Sequence, residues 1–201
     1  MTYAAPFAAH VMAPTRTTRA GDIPITRGFR MTKLAQRDFL GVVTHTPLVS
    51  IDLIVRDIKG RYLLGRRVNK PAQGSWFVPG GRIQKNESLD AAFARLAQEE
   101  LGITTLERAD ATLLGVYEHF YEDNFSGAEG ISTHYVVLGY RVRSALHLPH
   151  LPVEQHSDYR WATTDEILED HTVHQNSRAY FEHEDAHVQP HTHAPQIVLS
   201  N

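Results

Sequence analysis

A chain of 201 residues, 42% of them apolar, holds enough material for one domain with a full core and too little for two. A formal charge of −3 excludes a broadly cationic surface of the kind that binds nucleic acid or an anionic membrane, so a polyanionic ligand has to be met by local clusters. The absence of cysteine excludes disulfides and thiol catalysis, and no apolar run reaches membrane-spanning length.

Residues 1–30, rich in Ala, Thr, Pro and Arg, show no apolar period and are expected to form a flexible extension, with Met31 opening the patterned part. His10 and Pro14 interrupt the apolar stretch there, which argues against a secretory signal and makes a cytoplasmic enzyme the expectation. In KLAQRDFLGVV (33–43), Leu34, Phe39, Val42 and Val43 suit a short amphipathic helix. PLVSIDLIVRD (47–57), a turn at Lys59-Gly60 and RYLLGRR (61–67) read as a hairpin. After a Gly80-Gly81 turn, Ser88 caps a helix whose expected buried stripe is Leu89, Ala92, Phe93 and Leu96. GVYEHFYED (115–123) and STHYVVLGYRVR (132–143) read as strands joined by NFSGAEG, and DYRWAT (158–163) as a last short strand. Thr164 is expected to cap a helix beginning Asp165-Glu166, and a final helix runs through NSRAYFEH (176–183). The segment 183–201 carries His183, His187, His191 and His193, but two prolines break any ligand geometry, so a solvated, flexible tail is expected. Strands mixed with helices and hairpins predict an α/β fold with a central mixed sheet covered on both faces.

The stretch PGGRIQKNESLDAAFARLAQEELGI (79–103) carries the chemistry. Arg95 can pair with Glu99 at i, i+4, whereas Leu96 sits on the face of Glu100 where a second carboxylate would be expected. The spacing from Gly81 through Glu87, Arg95, Glu99, Glu100 and Gly102 to Ile103 resembles the Nudix box, GX5EX7REUXEEXGU. That resemblance covers residues 31–182 and implies an α/β/α sandwich that hydrolyses nucleoside diphosphates linked to another group, using Mg²⁺ on the box glutamates. The box wants Arg-Glu where this chain has Arg95-Leu96. A site with fewer acids should hold fewer cations, one Mg²⁺ completed by neutral oxygens and substrate phosphates, and should take its base from a side chain. LPVEQHSDYRW (151–161) offers Gln155 as an amide oxygen for the metal and His156 as an imidazole base, in a loop ahead of the last strand.

Dense agreement in TPLVSID (46–52), NKPAQGSWFVPGGRIQKNESL (69–89), FYEDNFSG (120–127), THYVVLGYR (133–141), EQHSDYRW (154–161) and HQNSRAYF (174–181) resembles the GDP-mannose mannosyl hydrolase branch of the Nudix superfamily, which also lacks the acid that Leu96 replaces. This resemblance implies Mg²⁺-dependent hydrolysis of GDP-mannose, and of GDP-glucose, to GDP and the free sugar, by water attack at the anomeric carbon with inversion. One Mg²⁺ per subunit would be held by the Gly80 carbonyl, Glu100 and Gln155. His156 would deprotonate the water, Arg67 and Arg82 would hold diphosphate oxygens, and Asp52 would hydrogen-bond sugar hydroxyls. Lys33, Leu34 and Phe39 would line the nucleotide site, in a homodimer. His119 and Tyr135 face the expected cleft by strand alternation, where a structural role suits each equally well. The competing expectations are an ordinary Nudix pyrophosphohydrolase that cuts P–O–P, and a non-catalytic nucleotide-sugar sensor.

Overall fold

The computed structural model describes residues 34–143, 151–153 and 156–182. The expected extension, Lys33, Gln155 and the His-rich tail lie outside the described residues.

Helix α1 (Gln36–His45) starts later than the expected 33, because Ala35 at its N-cap has no side chain to hold the first turn, and it buries a single residue, Val43. Strand β1 (Leu48–Arg56) leads into a turn built by Asp57. Its Oδ1 accepts the amides of Lys59 (2.9 Å) and Arg61 (2.8 Å), while Oδ2 takes the Arg61 guanidinium. Gly60, at φ +83°, lets the chain reverse into β2 (Tyr62–Arg67). The expected hairpin is present, but its ladder is confined to the rung Arg56↔Tyr62. Past that rung β1 pairs antiparallel with β4 (Gly80–Arg82) on one side and parallel with β6 (Thr133–Arg143) along its whole length on the other. A strand held on both edges and both faces needs the near-continuous apolar run that β1 has.

Among the described residues the seven-stranded sheet runs β3-β2-β1-β6-β5, where β3 is Trp76–Phe77 and β5 is Thr112–Tyr121; β7 (His156–Ala162) lies on β2. Strands β3 and β4, two and three residues long, are too short to show any alternation in sequence. β5 begins before the expected position 115, since a register shift between Leu113 and Gly115 hides the period of its first residues.

Period-two alternation divides the core. Ile51, Leu53, Val55, Leu63, Tyr140 and Val142 meet helix α2 (Leu89–Leu101) through Ala92, Phe93, Leu96 and Leu101. Ile54, Tyr62, Leu64 and Val78 face the other way, onto Ile167 of α3 (Thr164–Glu169), Val173, and Tyr180 and Phe181 beyond α4 (Gln175–Arg178). The result is the expected α/β/α sandwich around a mixed sheet.

Three local expectations are corrected. Leu89 is 40% exposed, because the first helical residue lies outside the packed stripe, which runs from Ala92 to Leu101. The cap of α3 is Thr163 rather than Thr164: only Thr163 has a glutamate three residues on, and the Glu166 carboxylate accepts its amide (2.7 Å) while its Oγ1 accepts the Glu166 amide. The last α-helix is a single turn capped by His174, after which tighter i→i−3 turns carry Tyr180 and Phe181 into the core.

Candidate active site

Helix α2 is held at both ends. Ser88 Oγ accepts the Ala91 amide (3.1 Å), and Gly102, left-handed at φ +70°, lets its own amide and that of Ile103 return to Gln98 and Ala97 carbonyls. Within it Arg95 forks onto Glu87 (2.7 and 2.9 Å), bridges to Glu99 (2.8 Å) and donates to the Arg82 carbonyl (2.8 Å). These bonds from Arg95 hold the Glu87 carboxyl below its ordinary range. Arg95 and Glu87 thus fasten the 82–87 loop to the helix, Glu99 braces Arg95 through one oxygen, and Glu100 takes part in none of these bonds. Leu96, where the further acid was expected, is core. Its Cδ2 lies so close to Gly81 that a Cβ there would sit 2.6 Å away.

The β1–β4 ladder fixes what faces the site. Val49 accepts the Ile83 amide (2.9 Å) and Pro79 accepts the Leu53 amide (2.8 Å), so the intervening pairs Ser50↔Arg82 and Asp52↔Gly80 turn their backbone groups outward. The Arg82 carbonyl points outward to Arg95, and the Gly80 carbonyl two residues back points to the same edge. Only glycine fits at 80, where a Cβ would lie 2.5 Å from Asp52 Oδ1 and 2.6 Å from the Ile51 carbonyl.

Glu100 is 3% exposed, and among the described residues its partner is His156, whose Nε2 lies 3.1 Å from Oε2. His156 is not the loop residue expected: it opens β7, is 5% exposed, and packs so tightly on β2 that a Cβ on Gly65 would meet its Nδ1 at 2.4 Å. That Nδ1 is buried without a hydrogen-bond partner among the described residues. Gly65 is therefore a residue of the site that spacing alone did not disclose.

Arg67, opposite His156 in the β2–β7 register, lies over the Phe77 ring (5.5 Å) and donates to the Asn69 carbonyl (3.2 Å). Burial raises Asp52, Tyr121 and Tyr135 toward their protonated forms, and the nearby Arg67 opposes that in each. Asp52 points to the other face of the sheet from Leu53, where the Tyr180 hydroxyl donates to its Oδ2 (2.8 Å). Burial pushes the Asp52 carboxyl up to about 7, against the opposing pull of the Tyr180 bond and Arg67. The same hydroxyl lies 3.3 Å from His119 Nε2. Burial lowers His119 to about 4, so the ring is neutral at pH 7. A hydrogen-bonded line from His119 through Tyr180 to Asp52 results, which puts His119 behind the site, with Tyr135 on the rung beside it. Tyr180 went unrecognised in sequence because nothing local marks a contact across 128 residues.

At the far end, the Arg82 guanidinium lies 3.9 Å over the Phe39 ring of α1, and Leu34 is exposed just before that helix. The structure therefore joins Gly80, Glu100, His156, Arg67 and Asp52 around β1, β2 and β4, with Arg82 and Phe39 along one rim; Lys33 and Gln155 are outside the described residues.

Asp52→Asn tests the strained carboxyl. Its folded pKa is raised, so between about 4 and 7 the native state holds a proton that the unfolded chain has released, and stability falls as pH rises through this window. The Asn variant is expected to lose that slope and to equal or exceed the wild type in urea unfolding at pH 8. Parallel pH dependences for the two proteins would contradict the assignment.

The NUDIX domain family model matches residues 46–183. The low-salt glycan biosynthesis protein Agl8 of Haloferax volcanii is 45% identical over 113 residues, 55% of this chain and 68% of that protein. An RNA pyrophosphohydrolase of Saccharophagus degradans is 39% identical over 67 residues, 33% of this chain and 36% of its own length. Among solved structures, a MutT NUDIX hydrolase from Burkholderia pseudomallei superposes with a TM-score of 0.54 at 29% identity, covering 69% of this chain and 98% of that one.

Proposed function

Because this chain belongs to the NUDIX family of hydrolases, we propose that it hydrolyses GDP-mannose, with GDP-glucose as a second substrate, to GDP and the free sugar by attack of water on the anomeric carbon with inversion. The observation that carries this reading is the buried Glu100–His156 contact beside a box whose other expected acid is Leu96. Glu100 is the buried box carboxylate offered to a cation, and a candidate base stands directly against it.

The donor set suits Mg²⁺. The Glu100 carboxylate and the outward Gly80 carbonyl are hard oxygens, and Gln155 would add an amide oxygen. With one box acid replaced by Leu96, a single ion per subunit, completed by water and diphosphate oxygens, is the proposed stoichiometry. When bound, Mg²⁺ supplies charge neutralisation for the departing diphosphate.

The chain's own groups do the rest. Arg67 and Arg82 draw the diphosphate in. Asp52, oriented by Tyr180, accepts from sugar hydroxyls. His156 Nδ1 is buried against Gly65, so Nε2 is the nitrogen that can meet water. Once Glu100 turns to the cation, a neutral ring carrying its proton on Nδ1 has its lone pair on Nε2 and takes the proton from water there. As that O–H bond breaks, the water oxygen bonds to C1, and the C1–O bond to the diphosphate breaks with its electron pair leaving on GDP.

The role of Agl8 in low-salt glycan biosynthesis supports a sugar-linked nucleotide as substrate. The partial likeness to an RNA pyrophosphohydrolase favours the second reading, cleavage between phosphorus atoms. A panel of nucleotide sugars incubated with Mg²⁺ separates the readings: GDP and mannose are expected, GMP and mannose 1-phosphate would replace the first reading by the second, and binding without turnover would leave a sensor.

The proposed setting is a cytoplasmic homodimer acting on a small molecule, with neither nucleic acid nor membrane as partner. Among the described residues no helix is long and apolar enough to cross a membrane. Val116 and Phe120, exposed on the edge strand β5, offer apolar surface for a second subunit to cover. Light scattering should give the mass of two chains, and a single-chain mass at every concentration would contradict the dimer.

A further inference from the structure

The loop between β5 and β6 is built around one side chain that the mechanism does not use. Asn124 is fully buried. Its Oδ1 accepts the Ser126 amide (3.0 Å), the Ser126 hydroxyl (2.7 Å) and the Ala128 amide (3.2 Å), while its Nδ2 donates to the Ala128 and Ile131 carbonyls (2.8 Å each). Gly127 and Gly130, at φ +69° and +72°, supply the reversals this wrapping needs. The Thr133 hydroxyl closes the base of the loop on the Asp123 carbonyl (2.8 Å).

So rigid a loop has an identifiable load. Phe125, the residue after Asn124, lies with its ring 4.7 Å from that of Phe39 and tilted by 43°. Phe39 in turn lies under Arg82, whose guanidinium has no acceptor for its donors among the described residues. Helix α1 buries only Val43, so its own packing does little to fix the Phe39 ring. The order of contact is thus a locked loop, a ring, a second ring, and a cation with unspent donors.

We propose that Phe125 is a positioning residue for the nucleotide: held by the Asn124 loop, it seats Phe39 and, through Phe39, aims the Arg82 guanidinium at the diphosphate of a nucleoside diphosphate. Phe125 need not touch the ligand. It limits the freedom of the two side chains that do, so its contribution appears in ground-state affinity and not in the bond-breaking step. An aromatic pair of this kind contributes about 0.5–1.5 kcal/mol, which corresponds to a change of about 3- to 10-fold in affinity.

The inference rests on the proposed binding of a nucleoside diphosphate, but its test does not depend on which bond is cut. Binding of GDP in the presence of Mg²⁺ is measured by calorimetry for the full chain. Phe125→Ala should weaken GDP binding about 3- to 10-fold and raise KM equally with kcat little changed. Phe125→Tyr should restore both, and Phe125→Ala should add nothing in a Phe39→Ala background. If the alanine variant does not fold, Phe125→Leu, which keeps bulk but not the ring, takes its place. Unchanged GDP affinity, a loss that tyrosine does not restore, a fall in kcat alone, or full additivity with Phe39→Ala would each overturn the proposal, as would a wild-type chain that fails to bind GDP. Release of GMP by the wild type would sink the C–O reading of the reaction and leave the comparison of affinities to decide the role of Phe125.

Discussion

His156→Gln is expected to lower kcat by about 10²- to 10⁴-fold while KM moves by no more than a few-fold. The ring sits against Glu100, Gly65 and Tyr159 rather than at the Phe39–Arg82 end, so its loss should spare nucleotide binding. Glutamine retains an amide to satisfy Glu100 but has no basic nitrogen, and the unassisted water must then attack without its proton being drawn away. The burial of His156 admits a competing explanation, that it is a packing residue. A packing residue would show itself as a fall in melting temperature with near-full kcat in the surviving fold, and that result would remove His156 from the base role.

Glu100→Gln should raise the Mg²⁺ concentration for half-maximal rate by at least about 10- to 100-fold, with partial recovery of rate at high metal. Of the other box positions, Glu87 is held bidentately by Arg95, Glu99 is half exposed and paired to Arg95 through one oxygen, and Leu96 is apolar. Glutamine keeps the size of Glu100 and an amide oxygen to face His156, so the variant should fold and its metal titration can be compared directly with the wild type. Metal affinity is read independently of turnover from Mn²⁺ relaxation of water protons. An unchanged metal titration with lost activity would contradict Glu100 as the ligand.

These residues differ in how far they could be read in advance, and the reason is the range of the interaction behind each. Gly81, Glu87, Arg95, Glu99, Glu100 and Gly102 lie within one loop and helix close in the chain. Arg95 meets Glu99 as helical i, i+4 geometry requires, and reaches Glu87 because the loop before the helix folds back onto it. The apolar run of β1 announced a strand and the Lys59-Gly60 turn a hairpin, whereas its central place in the sheet comes from pairing with the distant β6. Leu96 was visible as a missing acid, but its contact with Gly81 depends on β4, three residues whose pattern carries no signal. The Asp52–Tyr180 bond, the His156 packing on Gly65 and the Phe125–Phe39 contact all join elements distant in the chain. No periodicity encodes such pairs. Thr163 was within reach, since a threonine followed three residues later by Glu166 is a cap signal that outranks Thr164.

Hydrolysis of GDP-mannose in ¹⁸O-enriched water tests the central claim, attack at carbon by a water that His156 deprotonates, most directly. The expected result is label at C1 of the released sugar, which is the opposite anomer to that in the substrate, and none in GDP. Label on a phosphate would show attack at phosphorus and contradict the account.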